Sequence, residues 1–149
     1  MNSLSKYKQS GYLLIEMMIV LLIIGLIGSV AYPKFNSFIK NRKTEYFINS
    51  LEKDIMLMQQ KAINESSVYR LTFNNDKDMY QVGTYSSNKV LNRPIPKHIT
   101  IEGQAMEMTI QYNQNGNISR AGTLYIYSED AVYKVVFQLG KGKFYVAKQ

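Results

Sequence analysis

The sequence predicts an α+β fold, in which a long N-terminal helix, half transmembrane and half amphipathic, packs on an antiparallel β-sheet head. No charged residue occurs between Met17 and Ala31. Apolar residues then recur every three or four positions from Ile48 to Ala62, which is typical of an amphipathic helix. From Val68 onward, apolar and polar residues alternate in short runs separated by turn-forming residues, as in strands.

Composition limits the classes of protein that the chain can belong to. With 149 residues, one small domain beyond the apolar segment is expected. The absence of cysteine excludes a disulfide framework, a thiolate nucleophile and a thiolate metal site. The net charge of +7 is spread along the chain without a nucleic-acid motif, so it indicates a solvated basic surface.

The apolar segment that begins at Tyr12 is long enough to cross a bilayer core of about 30 Å as a helix. Lys6 and Lys8 precede it without acidic neighbours, which predicts a cytoplasmic N-terminus. Three interpretations remain open. The segment is a signal peptide cut at small residues near Ala31, an uncut signal anchor, or a helix retained after cleavage between Gly11 and Tyr12.

Glu16 distinguishes these interpretations, because a charged side chain within a membrane helix costs about 2.5–3.5 kcal/mol at the helix centre. Tyr12 and Glu16 are four residues apart and therefore share a helix face. Cleavage after Gly11 would free the Tyr12 amine, and the Glu16 carboxylate would pair with that amine on a neighbouring subunit. In the alternative, Glu16 only reaches the lipid headgroups, which leaves Gly11 and the basic leader unexplained.

The segment Lys8–Glu16 resembles the class III signal of type IV prepilins and pseudopilins. That family has a basic leader, a glycine before the cut, an apolar or aromatic first mature residue, usually Phe, and a glutamate at the fifth mature position. Gly11, Tyr12 and Glu16 occupy these positions. The resemblance implies cleavage between Gly11 and Tyr12, N-methylation of Tyr12 and subunit docking through Glu16. Gly25 and Pro33 match a family glycine and a helix-kinking proline, which implies a helix bend there.

The same resemblance implies a domain organisation and partners. Residues 1–11 are a cytoplasmic leader that is cleaved, 12–33 the transmembrane and assembly helix, 34–64 its amphipathic half, and 65–149 an extracytoplasmic β-rich head. The chain would cross the cell membrane once, with its head outside, and would enter an envelope filament at the cell surface after processing. The implied partners are other pilins or pseudopilins, the prepilin peptidase, the assembly platform with its ATPase, and membrane lipid, with DNA as a further candidate.

The remaining elements follow from the local patterns. One helix is predicted from about Leu13 to Asn64, and the polar residues after Asn64 end it. Turns are predicted at 74–78, 113–117, 128–130 and 140–143, and a loop with restricted backbone at 93–96. The predicted strands are 68–73, 80–85, 99–101, 108–112, 124–127, 132–137 and 144–146.

Residues 51–63 and the ending 139–142, followed by a short strand, look like the D-type competence minor pseudopilins (ComGD) of Gram-positive bacteria. This implies a structural subunit of a DNA-uptake machine. A pseudopilin of a secretion or adhesion system and a membrane-anchored DNA-binding module remain alternatives; DNA binding would be strongly salt-dependent. An enzyme is not expected, because His98 is a lone histidine and no other residues form a catalytic constellation. No catalytic residue, cofactor or metal is therefore predicted.

Overall fold

The structure is a computed structural model that describes residues 5–84, 91–104, 107–140 and 142–149, with the side chains of 5–11 and 30–34 outside this description. The predicted strand residue Tyr85 and the predicted turn residue Lys141 lie outside the described residues. The chain forms two compact units, Met1–Lys40 and Asn41–Gln149. The second unit is called the head below.

The first element is helix α1, Ser5–Asn64. It begins before the predicted start at Leu13, because no proline or turn residue other than Gly11 interrupts the leader. Its end at Asn64 confirms the prediction. Ser67 N–H bonds to Ala62 C=O, and Ser66 takes the left-handed φ of 47° that ends the helix.

Residues Tyr12–Ser29 of α1, called the membrane segment below, form an 18-residue stretch long and apolar enough to cross a membrane. All of its side chains are exposed. Helix α1 continues through Gly25 and Pro33. A bend at these two residues therefore stays a prediction.

Residues 41–64 of α1, called the head segment below, bury one face in the head core. The predicted apolar stripe is confirmed, because all five of its members are buried: Ile48, Leu51, Ile55, Met58 and Ala62. Phe47 joins them. Buried side chains from both sheets complete one continuous hydrophobic cluster with this stripe.

Eight strands form two four-stranded sheets in the described part of the chain, and every neighbouring pair is antiparallel. The first sheet has the order β3-β2-β1-β5 and the second β4-β6-β7-β8. The strands are β1 Tyr69–Asn74, β2 Met79–Thr84, β3 Leu91–Pro94, β4 Thr100–Gln104, β5 Thr109–Tyr112, β6 Gly122–Tyr127, β7 Val132–Phe137 and β8 Phe144–Lys148.

The described residues of the predicted turns adopt tight turns. Asn75–Lys77 form one turn of 3₁₀ helix, and the Asn74 side chain accepts a hydrogen bond from Lys77 N–H. The Asn113 side chain accepts from the N–H groups of Asn115 and Asn117. Residues 128–130 connect β6 and β7 as a hairpin, as predicted.

The predicted loop at 93–96 is wrong for its first two residues, because Arg93 and Pro94 belong to strand β3. Pro94 pairs with Met79 at the end of this strand. Strand β3 is an edge of the first sheet, where the missing N–H of proline interrupts no inner ladder. The restricted backbone of Pro94 is therefore compatible with the end of a short edge strand.

Candidate functional site

Two of the residues predicted to act in assembly, Tyr12 and Glu16, lie on one face of α1. Tyr12 is 75% exposed, and Glu16 is also exposed. Within the described part of the chain, Glu16 makes no hydrogen bond or ion pair. The described side chains therefore supply no partner for this carboxylate.

The membrane segment exposes apolar side chains on every face, since its large side chains are between 46% and 75% exposed. Gly25 and Gly28 lie on the same helix, and a Cβ added to either would meet no atom within 4 Å. Small residues of this kind let a second helix approach closely in a membrane. The segment can therefore contact lipid or other helices, and it fits a membrane anchor.

A largely buried ionic contact in the described part of the head joins α1 to the first sheet. The Asp54 side chain is 5% exposed and accepts a hydrogen bond from the Tyr80 hydroxyl at 2.6 Å. Arg93 donates to both Asp54 carboxylate oxygens, from Nε at 3.1 Å and from a terminal nitrogen at 3.4 Å. This bidentate geometry orients a guanidinium and a carboxylate in one plane.

The proton affinities of the two donors reflect this contact. Burial, and then the bond to the Asp54 carboxylate, raise the pKa of Tyr80. The hydrogen bond to Asp54 also raises the pKa of Arg93. Both donors therefore stay protonated around a buried carboxylate. Sequence reasoning missed this cluster, although Asp54 beside Ile55 in the apolar stripe was a signal for it.

Two turns close against the head segment at Gln59. The Gln59 side-chain amide donates to Gly116 C=O at 2.8 Å. Gly142 has a φ of +59°, and a Cβ there would lie 2.1 Å from the Gly116 carbonyl oxygen and 2.4 Å from Gln59 Nε2. Only glycine fits this approach. Tyr112 donates to Gly142 C=O at 3.0 Å, and burial raises the pKa of Tyr112 to about 12.

The single histidine has a structural contact. His98 Nε2 lies 3.0 Å from the hydroxyl of Thr44, a buried residue of α1. This contact ties the connection between β3 and β4 to the head segment. His98 therefore contributes to the packing of the head.

The end of α1 carries a second polar cluster. The Tyr69 hydroxyl donates to Glu65, and Lys61 forms an ion pair with the same carboxylate at 3.0 Å. The bond to Glu65 raises the pKa of Tyr69 to about 12, and it also holds the pKa of Glu65 below its usual value. The cluster fixes the passage from helix to first strand.

The described part of the head surface includes a pair of shallow hollows. The larger, of about 360 Å³, lies on the second sheet and is lined by Glu102, Gly103, Gln104, Tyr125 and Tyr127. The smaller, of about 210 Å³, lies beside the first sheet, next to the exposed Arg120–Glu107 ion pair. Neither hollow contains a residue of the predicted assembly motif.

Solved structures with the same fold belong to pilus and secretion proteins. The type IV minor pilin FimU of Pseudomonas aeruginosa matches with a TM-score of 0.62 and 12% identity, over 74% of this chain and 92% of FimU. The minor pseudopilin EpsH from the type 2 secretion system of Vibrio cholerae matches with a TM-score of 0.54 and 12% identity, over 69% of this chain and 94% of EpsH.

No protein-family model and no curated protein sequence matches the chain. At 12% identity, the two structural matches establish the fold. The chain therefore has the α+β architecture of minor pilins and pseudopilins: an N-terminal apolar helix that continues into a head of antiparallel sheets.

Proposed function

We propose that this protein is a minor pseudopilin, a structural subunit of a competence machine that resembles a type IV pilus and takes up DNA in natural transformation. The observation that carries the proposal is the motif Gly11, Tyr12 and Glu16 at the start of an exposed apolar helix. A membrane anchor alone needs no carboxylate there. The pilin-like fold of the head supports the same proposal independently of the motif.

In this proposal the chain is made as a membrane precursor with residues 1–11 in the cytoplasm. The prepilin peptidase cleaves after Gly11, where the missing side chain leaves the backbone accessible, and the new Tyr12 amine is N-methylated and keeps its charge. The Glu16 carboxylate then pairs with the amine of a neighbouring subunit. The pair satisfies both charges only when the subunit is docked in register.

The membrane segment would leave the lipid and pack with other pilin helices, with a bend near Gly25 and Pro33. The assembly platform and its ATPase would drive this step from outside the chain. The head would stay outside the membrane and determine which subunits become neighbours. The protein would have no catalytic activity of its own.

The assignment to competence depends on the resemblance of 51–63 and 139–142 to D-type competence pseudopilins. A pseudopilin of a secretion system is the second candidate, and the likeness to EpsH supports it. The DNA-binding module receives less support. Outward-facing positions of the described strands of the second sheet carry one base, Lys134, and one acid, Glu102, instead of a basic stripe.

The test is the transformation frequency of a deletion strain complemented with wild type, Glu16→Ala or Ser29→Ala. Ser29 lies in the same membrane segment, and its hydroxyl bonds only to Leu26 C=O among the described contacts. We expect wild type and Ser29→Ala to restore transformation and Glu16→Ala to fail. Membrane fractions must contain equal amounts of all three proteins.

Two results would contradict the proposal. Normal transformation in the deletion strain, with competence induced, would discard DNA uptake and favour secretion or adhesion. A mature protein that begins at Met1 or after Ala31 would discard the cleavage between Gly11 and Tyr12, and N-terminal sequencing detects either start.

A further inference from the structure

The outward face of the second sheet carries paired aromatic side chains beside polar ones. Tyr125 and Tyr127 follow each other on this face of β6, with ring centroids 6.1 Å apart and ring planes at 24°. Tyr127 is 38% exposed. Their neighbours on edge strand β4 are Glu102, opposite Tyr125, and Thr100, opposite Tyr127. Aromatic rings thus adjoin exposed hydrogen-bonding groups.

These side chains line the shallow, open hollow of about 360 Å³. Glu102 supplies carboxylate acceptors, while Gln104 supplies both amide donors and an acceptor. Because β4 is an edge strand, the hollow can admit a ligand that continues beyond it. None of these groups is needed to hold the core, since Ile101, Leu124 and Ile126 on the opposite face do that.

We propose that this hollow binds a neutral glycan strand of the cell envelope. A pyranose ring presents C–H faces that pack on the electron-rich face of an aromatic ring, and hydroxyls that bond to carboxylate and amide groups at the rim. A polymer of such rings fits a hollow that is open at a sheet edge.

The charge pattern favours a neutral ligand over nucleic acid. Along the cross-strand row that contains Tyr125, Glu102 lies on one side and Lys134 on the other, so the two charges cancel. A phosphate backbone requires several basic groups to displace its counterions, and Glu102 within the hollow would repel it. The aromatic pair could stack on bases, but among the described strand positions of this face Lys134 is the one basic residue.

This inference rests on the proposed function in one respect: the head must lie outside the membrane to meet its ligand. An exported head outside the membrane lies next to the wall polysaccharide. Binding itself requires no filament, no cleavage and no DNA uptake. A failed binding assay therefore leaves the transformation experiment unaffected.

The test is co-sedimentation of the full chain, in detergent micelles, with insoluble chitin and with purified peptidoglycan sacculi stripped of anionic polymers. The variants are Tyr127→Ala, Tyr127→Phe and Glu102→Ala, and the matched control is Tyr145→Ala. Tyr145 is 48% exposed and lies on the same face, but on β8 and outside the hollow. Urea unfolding of each variant checks that the head still folds.

We expect wild type to bind both polymers, and Tyr127→Ala and Glu102→Ala each to weaken binding about tenfold. Tyr127→Phe keeps the ring and should stay within about threefold of wild type, and Tyr145→Ala within about twofold, since neither change removes a ring from the hollow. Soluble N-acetylglucosamine should compete poorly with the polymer if the ligand is a glycan strand.

Three outcomes overturn the inference. The first is that wild type binds neither polymer. The second is that Tyr145→Ala weakens binding as much as Tyr127→Ala does. The third is that the same tyrosines instead bind a DNA oligonucleotide with a steep salt dependence. The last outcome would move the hollow to the DNA-binding alternative.

Discussion

The two segments of α1 differ both in apolar content, which is higher in the membrane segment, and in the exposure of their apolar side chains. In the membrane segment, the large apolar side chains are exposed on every face. In the head segment, one apolar stripe is buried against both sheets, while the apolar side chains off that stripe are exposed, namely Tyr46, Met56, Leu57 and Ile63. A helix that is apolar all round needs lipid or other helices to cover it, whereas a one-sided helix is covered by its own chain. The difference distinguishes a segment whose apolar faces the chain leaves exposed from a segment whose apolar stripe the head core covers.

The acidic residues of the two segments differ in the same way. Asp54 in the head segment has Tyr80 and Arg93 as partners within the chain. Glu16 in the membrane segment forms no such contact among the described residues. A buried carboxylate with partners stabilises its own fold only after its desolvation is offset. In the proposed filament, the amine of a neighbouring subunit would supply the counter-ion for the Glu16 carboxylate.

Replacing one isoleucine in each segment is the strongest test of whether only the head segment stabilises the head. Ile55→Ala removes a fully buried side chain and should lower the free energy of unfolding of the head by about 2–5 kcal/mol. Ile23→Ala removes a side chain that is exposed in the membrane segment and should leave this value unchanged. Urea titration of the full chain in detergent, followed by near-ultraviolet circular dichroism of the tyrosines, measures both. Equal effects would show that the two segments do not fold independently.

Removing the cation of each of two ion pairs tests the role of burial. Arg93→Ala leaves the buried Asp54 carboxylate with only the Tyr80 hydroxyl, and should destabilise the head by about 1.5–3 kcal/mol. Arg120→Ala breaks an ion pair in which both side chains are well exposed, and should change stability by less than about 1 kcal/mol. The same urea titration compares them. If Arg120→Ala is the more damaging change, the buried cluster does not hold the head segment on the first sheet.

Local periodicity predicted most of the head but could not predict its polar contacts. The stripe from Ile48 to Ala62 needs only neighbours along the chain to be recognised, and the structure buries all of it. The contact between Asp54 and Arg93 joins residues 39 positions apart, and the strand that carries Arg93 ends in proline. Because proline is common in loops, the local sequence alone predicts a loop for that segment.

The division into two sheets was beyond prediction for a related reason. Strand pairing depends on which strand edges meet after the chain has folded. For example, β5 pairs with β1 although three other strands lie between them in the sequence. The turn residues Gly116 and Gly142 were recognised as turn formers, but their contact with Gln59 depends on the final packing. The assembly motif is the opposite case. Its spacing lies within a few residues of sequence, and the amine proposed as the partner of Glu16 belongs to a neighbouring subunit.

The loss of stability at alkaline pH should depend on Tyr112 in the head core and not on Tyr12 in the membrane segment. Burial raises the pKa of Tyr112 to about 12 from an ordinary value of 10.0. The folded head therefore holds this phenol proton more tightly than the unfolded chain does, so its contribution to stability is complete below pH 10 and is lost as the pH rises to about 12.

Unfolding free energies measured between pH 9 and 12 should fall more steeply for wild type than for Tyr112→Phe, which has no phenol to titrate. Tyr12→Phe should keep the wild-type slope, since Tyr12 is not a member of the buried cluster of the head. A slope that Tyr112→Phe leaves unchanged would assign the loss to the other buried tyrosines, Tyr69 and Tyr80, whose pKa values are also raised.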